Sequence, residues 1–319
     1  MHTPLNRRDF LKAAGGTAAL AAASPVLAAR KGMFLTMRNL NGFWVEQAPA
    51  WNVEWQAMAR LAASTGYAGV DLPFGAIMKD GPEKVRALLA ELKLRPGFLS
   101  TGVNPFIRDE AAFQTAFKGF DNICKFAAAI ECPRLMFRMN SSMDVPKDEW
   151  RKISLGRARA MSQVMDRHNV RVGIEFSGPL HYRKQFPYEF IYRVPETTEF
   201  CKDAGPNWGL ALDSWHWHHA GGTVEDIIAA GKSRIVAVHI CDAKQQRPED
   251  VKDLERVMPG EGVVNLDGFL KALRKIGYEG GVSPEPLRRF AVGTSAEEVA
   301  RASLASSVAV MKKAGIKLA

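Results

Sequence analysis

The chain has 319 residues, 47% apolar and 24% charged, the balance of an ordinary soluble globular protein. No apolar run is long enough to span a membrane. The formal net charge is +9, but Lys and Arg are scattered over helix faces and ends. A solvated surface is therefore the simpler reading, and no nucleic-acid partner is expected. Cys124, Cys132, Cys201 and Cys241 form no CxxC pair and match no zinc-ribbon or redox spacing.

Residues 1–29 read as an address rather than as part of the fold. Asn6-Arg7-Arg8-Asp9-Phe10-Leu11-Lys12 resembles a twin-arginine export signal. A weakly apolar stretch, Ala13 to Ala23, follows, and then small residues at Ala28 and Ala29 that suit cleavage after one of them. The expected division is a signal peptide, 1–29, and one folded domain, 30–319. The mature protein is expected in the periplasm or otherwise exported, with no stable membrane insertion after processing.

From residue 32 onward, short apolar runs alternate with amphipathic stretches. Strands are expected near 33–38, 69–73, 97–102, 134–139, 171–176, 208–213, 235–240 and 280–284. The runs ending in Glu175, Asp213 and His239 are apolar almost throughout, as in a parallel sheet buried on both faces. Helices are expected at 53–65, 82–93, 109–130, 147–168, 195–204, 223–231, 265–276 and 295–314. Thr223 and Ser295 open capping-box sequences, and Gly66, Gly205 and Gly277 stand where helices should stop. Eight strands alternating with eight helices give an α/β fold, the (β/α)₈ TIM barrel, as a single domain preceded by an export signal. An open doubly wound sheet fits less well, because no GxGxxG follows the first strand and no P-loop occurs. Two loops, about 177–194 and 241–262, are long enough to act as lids.

Active sites of this fold lie at the C-terminal ends of the strands. Glu175, Asp213 and His239 end strands five, six and seven, His216 follows three residues after Asp213, and Glu285 follows strand eight. A lone acid at a strand end is most simply a loop cap. Four successive apolar strands ending in Glu, Asp, His and Glu are harder to explain that way, because ionised groups resist burial unless paired or metal-bound. Strands about 4.8 Å apart bring these residues to one rim. Mixed oxygen and nitrogen donors suit one divalent ion: Mn²⁺, Co²⁺, Mg²⁺ or Zn²⁺.

The segments Gly173-Ile174-Glu175-Phe176, Leu212-Asp213-Ser214-Trp215-His216, Ala237-Val238-His239-Ile240-Cys241-Asp242, Met258-Pro259-Gly260-Glu261-Gly262 and Gly277 to Pro286 resemble the xylose isomerase-like TIM-barrel family of sugar phosphate isomerases and epimerases. The resemblance implies that Glu175, Asp213, His239 and Glu285 are metal ligands. It implies that Glu175 and Glu285 double as acid/base groups, and that His216 and Arg256 orient substrate. Trp215, by stacking on a sugar face, and Arg138, at the end of strand four beside Asn140, are further candidate substrate contacts; Trp44, Trp51, Trp55, Phe74 and Asn104 are weaker ones.

The implied reaction is proton abstraction beside a carbonyl of a sugar or keto-sugar, through an enediolate, giving isomerisation or epimerisation. Loss of a β-hydroxyl or aglycone from the same intermediate would instead make a lyase or dehydratase on 3-keto-glycosides or inososes. A non-catalytic exported sugar-binding barrel is the more distant alternative. An AP-endonuclease-like reading fails because no His lies near Asp71–Phe74 or Thr101–Asn104 to complete three metals. The expected partner is a small carbohydrate, and a homodimer is the default assembly. Arg288 and Arg289 lie near the loops that bind phosphate in many barrels, but an exported enzyme fits an unphosphorylated substrate better.

Overall fold

The computed structural model describes residues 31–40, 44–45, 48–49 and 53–319. The export segment, Trp51 and the side chain of Trp44 lie outside the described residues. From Gly32 to Ala319 the chain is one compact unit. Its centre is a closed parallel barrel of β1 (Met33–Met37), β2 (Gly69–Pro73), β3 (Arg95–Ser100), β4 (Arg134–Met139), β5 (Arg171–Phe176), β6 (Trp208–Asp213), β7 (Ile235–Ile240) and β8 (Gly280–Pro284). Each strand pairs with its sequence neighbours, and β1 closes on β8.

The surrounding helices are α1 (Trp55–Thr65), α2 (Pro82–Glu91), α3 (Glu110–Lys118), α4 (Phe120–Ala129), α5 (Lys147–His168), α6 (Val194–Ala204), α7 (Val224–Ala230), α8 (Leu266–Lys275) and α9 (Ala296–Lys313). Thr223 and Ser295 each close a full capping box with the acid three residues on. Gly66 ends α1 with φ +96°, a left-handed conformation that glycine takes without a Cβ clash. Among the described residues no helix is long and apolar enough to cross a membrane.

Two expected elements differ. The span 109–130 is two helices, because Gly119, a poor helix former, separates α3 from α4. Strand three starts at Arg95 rather than near 97, because pairing with β2 begins at Gly69 opposite Arg95, ahead of the apolar pair Phe98 and Leu99. The long loop after β5 carries a short helix, Leu180–Arg183, and a two-residue strand, Tyr188–Glu189, which pairs antiparallel with Ser142–Met143.

The main core packs helices onto the barrel's outer face, while Phe98, Met136, Ala211 and Ala237 form a separate buried cluster. Ala211 and Ala237 precede Asp213 and His239 by two residues, so the alternation of a strand puts both pairs on one face. A polar cluster also lies inside: Thr36 Oγ1 and Ser283 Oγ are 2.7 Å apart, and Ser283 donates to Asp71. Gly97 makes room for this acid, since a Cβ there would fall 2.1 Å from Asp71 Oδ1.

Candidate metal centre

Strand register sets the height of each functional side chain. Asp213 of β6 lies opposite His239 of β7, and His239 lies opposite Ser283 of β8. Glu285 comes two residues later and is tied back by its N–H to Ile240 O at 2.9 Å. Glu175, one residue before the end of β5, lies opposite Arg138 of β4. The side chains of Glu175, Asp213, His239 and Glu285 are all buried, with one donor atom from each within 4.8 Å of the others.

His239 Nδ1 is the hub. It lies 2.8 Å from Glu175 Oε1, 3.2 Å from Glu285 Oε2 and 3.8 Å from Asp213 Oδ2. Ligand atoms about 2.0–2.2 Å from a shared cation stand roughly 2.8–3.6 Å apart at right-angled to tetrahedral bond angles. The first two separations fall in that window and the third just outside it. Three carboxylates and one imidazole nitrogen therefore fit a divalent ion in both spacing and donor type. His239 Nε2, on the far side of the ring, is buried without a hydrogen-bond partner, and the Phe98 ring packs 5.2 Å from the imidazole.

Arg256 crosses this group from the loop after β7. Its Nη1 reaches Asp213 Oδ2 at 2.8 Å and Glu285 Oε2 at 2.9 Å, and its Nη2 lies 3.4 Å from His216 Nε2. The guanidinium stacks 4.4 Å over the ring of Trp215, which is buried. Asp213 Oδ1 accepts from the backbone N–H of Trp215 and His216, so the carboxylate also caps the short helix Ser214–His219 that presents His216.

Burial and charge set the protonation of the group. Burial works against ionised Glu175, but the facing His239 and their hydrogen bond outweigh it and hold the carboxyl below its ordinary value. Glu285 is likewise opposed by burial, yet Arg38, His239 and Arg256 hold it well below. Burial pushes Asp213 up to about 7, with Arg256 only partly opposing it. Burial, followed by Arg256, lowers His216 to about 4, which keeps its imidazole neutral.

The four expected ligands, His216 and Arg256 thus meet in one cluster. Trp215 stands behind Arg256 with its ring covered. Arg138 sits at the outer edge, its side chain 41% exposed, over the Tyr182 ring and 3.6 Å from Asp253. Trp55 is buried and donates to Asp80, and the Asn104 side chain bonds its own loop at Gly102 and Phe106, so both are engaged structurally. Arg288 lies 3.6 Å from Glu261, and Arg289 belongs to a short strand with Phe290.

Several contributing residues are given no individual role by the sequence reading. Arg38, just past β1, pairs with Glu285. Asp253 receives Arg256 Nε at 2.8 Å and Nη2 at 2.6 Å. Asp242 accepts from the backbone N–H of Ala243, Gly260 and Val264, folding the Pro259-Gly260-Glu261-Gly262 turn over the end of β7. Asp71 carried a usable signal, an acid inside the apolar strand Gly69-Val70-Asp71-Leu72-Pro73. Asp253 lies in an aperiodic loop and carried none.

Residues 59–312 match the xylose isomerase-like TIM barrel family, and residues 4–24 match the signal sequence of the twin-arginine translocation pathway. An inosose isomerase of Halalkalibacterium halodurans is 28% identical over 208 residues, covering 65% of this chain and 71% of that protein. A xylose isomerase domain protein from Alicyclobacillus acidocaldarius superposes with a TM-score of 0.78 at 25% identity, covering 89% of this chain and 99% of that one. The IolI protein, solved with a bound zinc atom, superposes with a TM-score of 0.74 at 22% identity, covering 88% and 99% of the two chains. The barrel, its closure and the family match over most of its length agree: this chain carries a twin-arginine export signal and belongs to the xylose isomerase-like TIM barrel family.

Proposed function

We propose that the protein is an exported, divalent-metal-dependent isomerase or epimerase of a sugar, a keto-sugar or a cyclitol ketone. One observation carries this reading: two buried carboxylates, Glu175 and Glu285, approach the same His239 nitrogen from different strands within a four-residue donor set. Glu175, Asp213, His239 and Glu285 would hold the ion. When bound, a divalent cation acts as a Lewis acid that polarises a substrate carbonyl and offsets developing oxyanion charge.

The chain's own residues supply the rest. Glu175 and Glu285 both rest ionised, so either can take the proton from a carbon beside a carbonyl and leave an enediolate. Return of a proton to the neighbouring carbon moves the carbonyl. Return to the opposite face of the same carbon inverts it. His216, neutral, and Arg256, permanently charged, would orient substrate oxygens, with Trp215 holding the guanidinium in place. Arg138 stands exposed at the mouth, where it can meet a hydroxyl. Export by the twin-arginine route, with 1–29 removed, would put the enzyme in the periplasm or beyond, a setting that favours an unphosphorylated substrate. The curated relative named an inosose isomerase supports a polyhydroxylated cyclic ketone as one such substrate.

The test is incubation of the metal-loaded protein with ketoses, inososes and 3-keto-glycosides in D₂O. Solvent deuterium retained in a product isomeric with its substrate is the expected result. Loss of water or aglycone would overturn the isomerase reading in favour of elimination.

A further inference from the structure

Between the loops after β5, β6 and β7 lies a cavity of about 350 Å³. Leu180 and Arg183 line it from the first loop, His218 and His219 from the short helix, and Lys244 and Gln245 from the third loop. None of the four candidate metal ligands lines it, and no Asp or Glu occurs among its eleven lining residues. Its volume is at the small end of the roughly 300–1,000 Å³ typical of small-molecule sites.

Two features say what it would hold. Arg183 Nε and His219 Nε2 are both buried and both without a hydrogen-bond partner. Buried polar atoms are rarely left unpaired, and both of these belong to residues that line this one cavity, where a polar ligand could partner them. Arg183 is held in place by its neighbours, its guanidinium 4.5 Å over the Tyr192 ring and its Nη1 3.7 Å from Glu189, while its Nε is buried without a partner. The second feature is charge. Burial, then His218, His216 and Arg256, drives the proton from His219, whose pKa falls to about 3. Arg183 and Lys244 bring positive charge to the lining, which itself holds no carboxylate, Glu189 meeting Arg183 from outside it. Leu180 and Val251 add apolar surface for a carbon skeleton.

We propose that this cavity is an accessory subsite for a sugar acid, with the carboxylate toward Arg183, His219 and Lys244 and the ring against Leu180 and Val251. The subsite goes beyond the isomerase reading and stands whether or not that reading holds.

The full chain is titrated by calorimetry with D-glucuronate, inorganic phosphate and methyl glucoside, with the imidazole NMR signal of His219 recorded alongside. Glucuronate is expected to saturate and move the His219 signal, phosphate to compete with it through the shared oxyanion chemistry, and the neutral glucoside to bind at least about tenfold more weakly. His219→Ala and Lys244→Glu should each weaken glucuronate about tenfold or more, the loss of one charge-assisted contact. Lys244 is exposed, so its replacement tests charge without disturbing the packing. Glu175→Gln should leave glucuronate affinity unchanged, which separates this cavity from the metal centre. Equal binding of glucoside and glucuronate, saturation by phosphate alone, or unchanged affinity in both cavity variants would overturn the proposal.

Discussion

The Tyr182 hydroxyl donates to Asp253 Oδ2 at 2.5 Å and so ties the loop after β5 to the loop after β7. The other Asp253 oxygen receives Arg256, which in turn reaches Asp213 and Glu285. Burial opposes the Asp253 charge, but Arg256 and then His216 hold its pKa down to about 2. Tyr182→Phe removes one hydrogen bond to a charged group, worth about 1.5–3 kcal/mol where the donor is well buried. Tyr182 is half-buried, so urea unfolding should report the lower end of that range. KM should rise several-fold while bound metal is unchanged, because Asp253 and Arg256 lose alignment and the ligands do not. Unchanged KM and unchanged stability would show that the tie does not position Arg256.

Replacing the paired carboxylates separates proton transfer from simple binding. Glu175→Gln and Glu285→Gln should each cut turnover by about 10²–10⁴, the usual contribution of a positioned acid or base. Each should also lower the metal retained per chain, measured by plasma mass spectrometry, since each also removes an anionic donor. His216→Gln provides the contrast: metal content stays near the parent's while kcat/KM falls. The metalloenzyme reading would be lost if Glu175→Gln left both metal content and turnover at parental levels.

Metal removal should act on stability as well as activity. Without a cation, three carboxylates crowd one imidazole, with His239 itself, Arg38 and Arg256 as the positive groups that offset them. Anything that binds the folded chain alone stabilises it by RT ln(1 + [L]/Kd), about 2.7 kcal/mol at a hundredfold excess over Kd. Dialysis against a chelator should therefore abolish turnover and lower the thermal midpoint, and Mn²⁺, Co²⁺, Mg²⁺ or Zn²⁺ should restore both to different degrees. A midpoint indifferent to chelator and to every added ion would count against a metal at these four residues.

Legibility in the sequence followed physical constraint. The strands β5 to β7 were readable to the residue, because a strand buried on both faces leaves an almost unbroken apolar run. Glu175, Asp213, His239 and Glu285 stood out against such runs. β3 was displaced, because its start is fixed by pairing with Gly69 rather than by its own apolar residues. The break at Gly119 was hidden within a continuous helical pattern. Tyr182 and Asp253 carry no periodic signal at all; they act only because two loops far apart in sequence meet above the barrel. Pattern reading finds groups whose burial is costly, and it misses groups whose role is to hold those in place.

The last expectation concerns acid. Burial, with His218, His216 and Arg256 nearby, lowers His219 to about 3 in the folded chain, whereas an unfolded histidine titrates near 6.5. Between those values the unfolded chain takes up a proton that the folded chain refuses. The His219 contribution to stability therefore falls as pH drops below about 6.5, and the whole of that penalty is present once pH lies below the folded value. His216, lowered to about 4, adds a slope of the same sign. His219→Gln removes one of the two and leaves the other. The change in urea midpoint from pH 7.5 to pH 5 should then be less unfavourable in the variant than in the parent. Equal differences would mean that the folded chain accommodates a protonated His219 by moving the short helix away from Arg256.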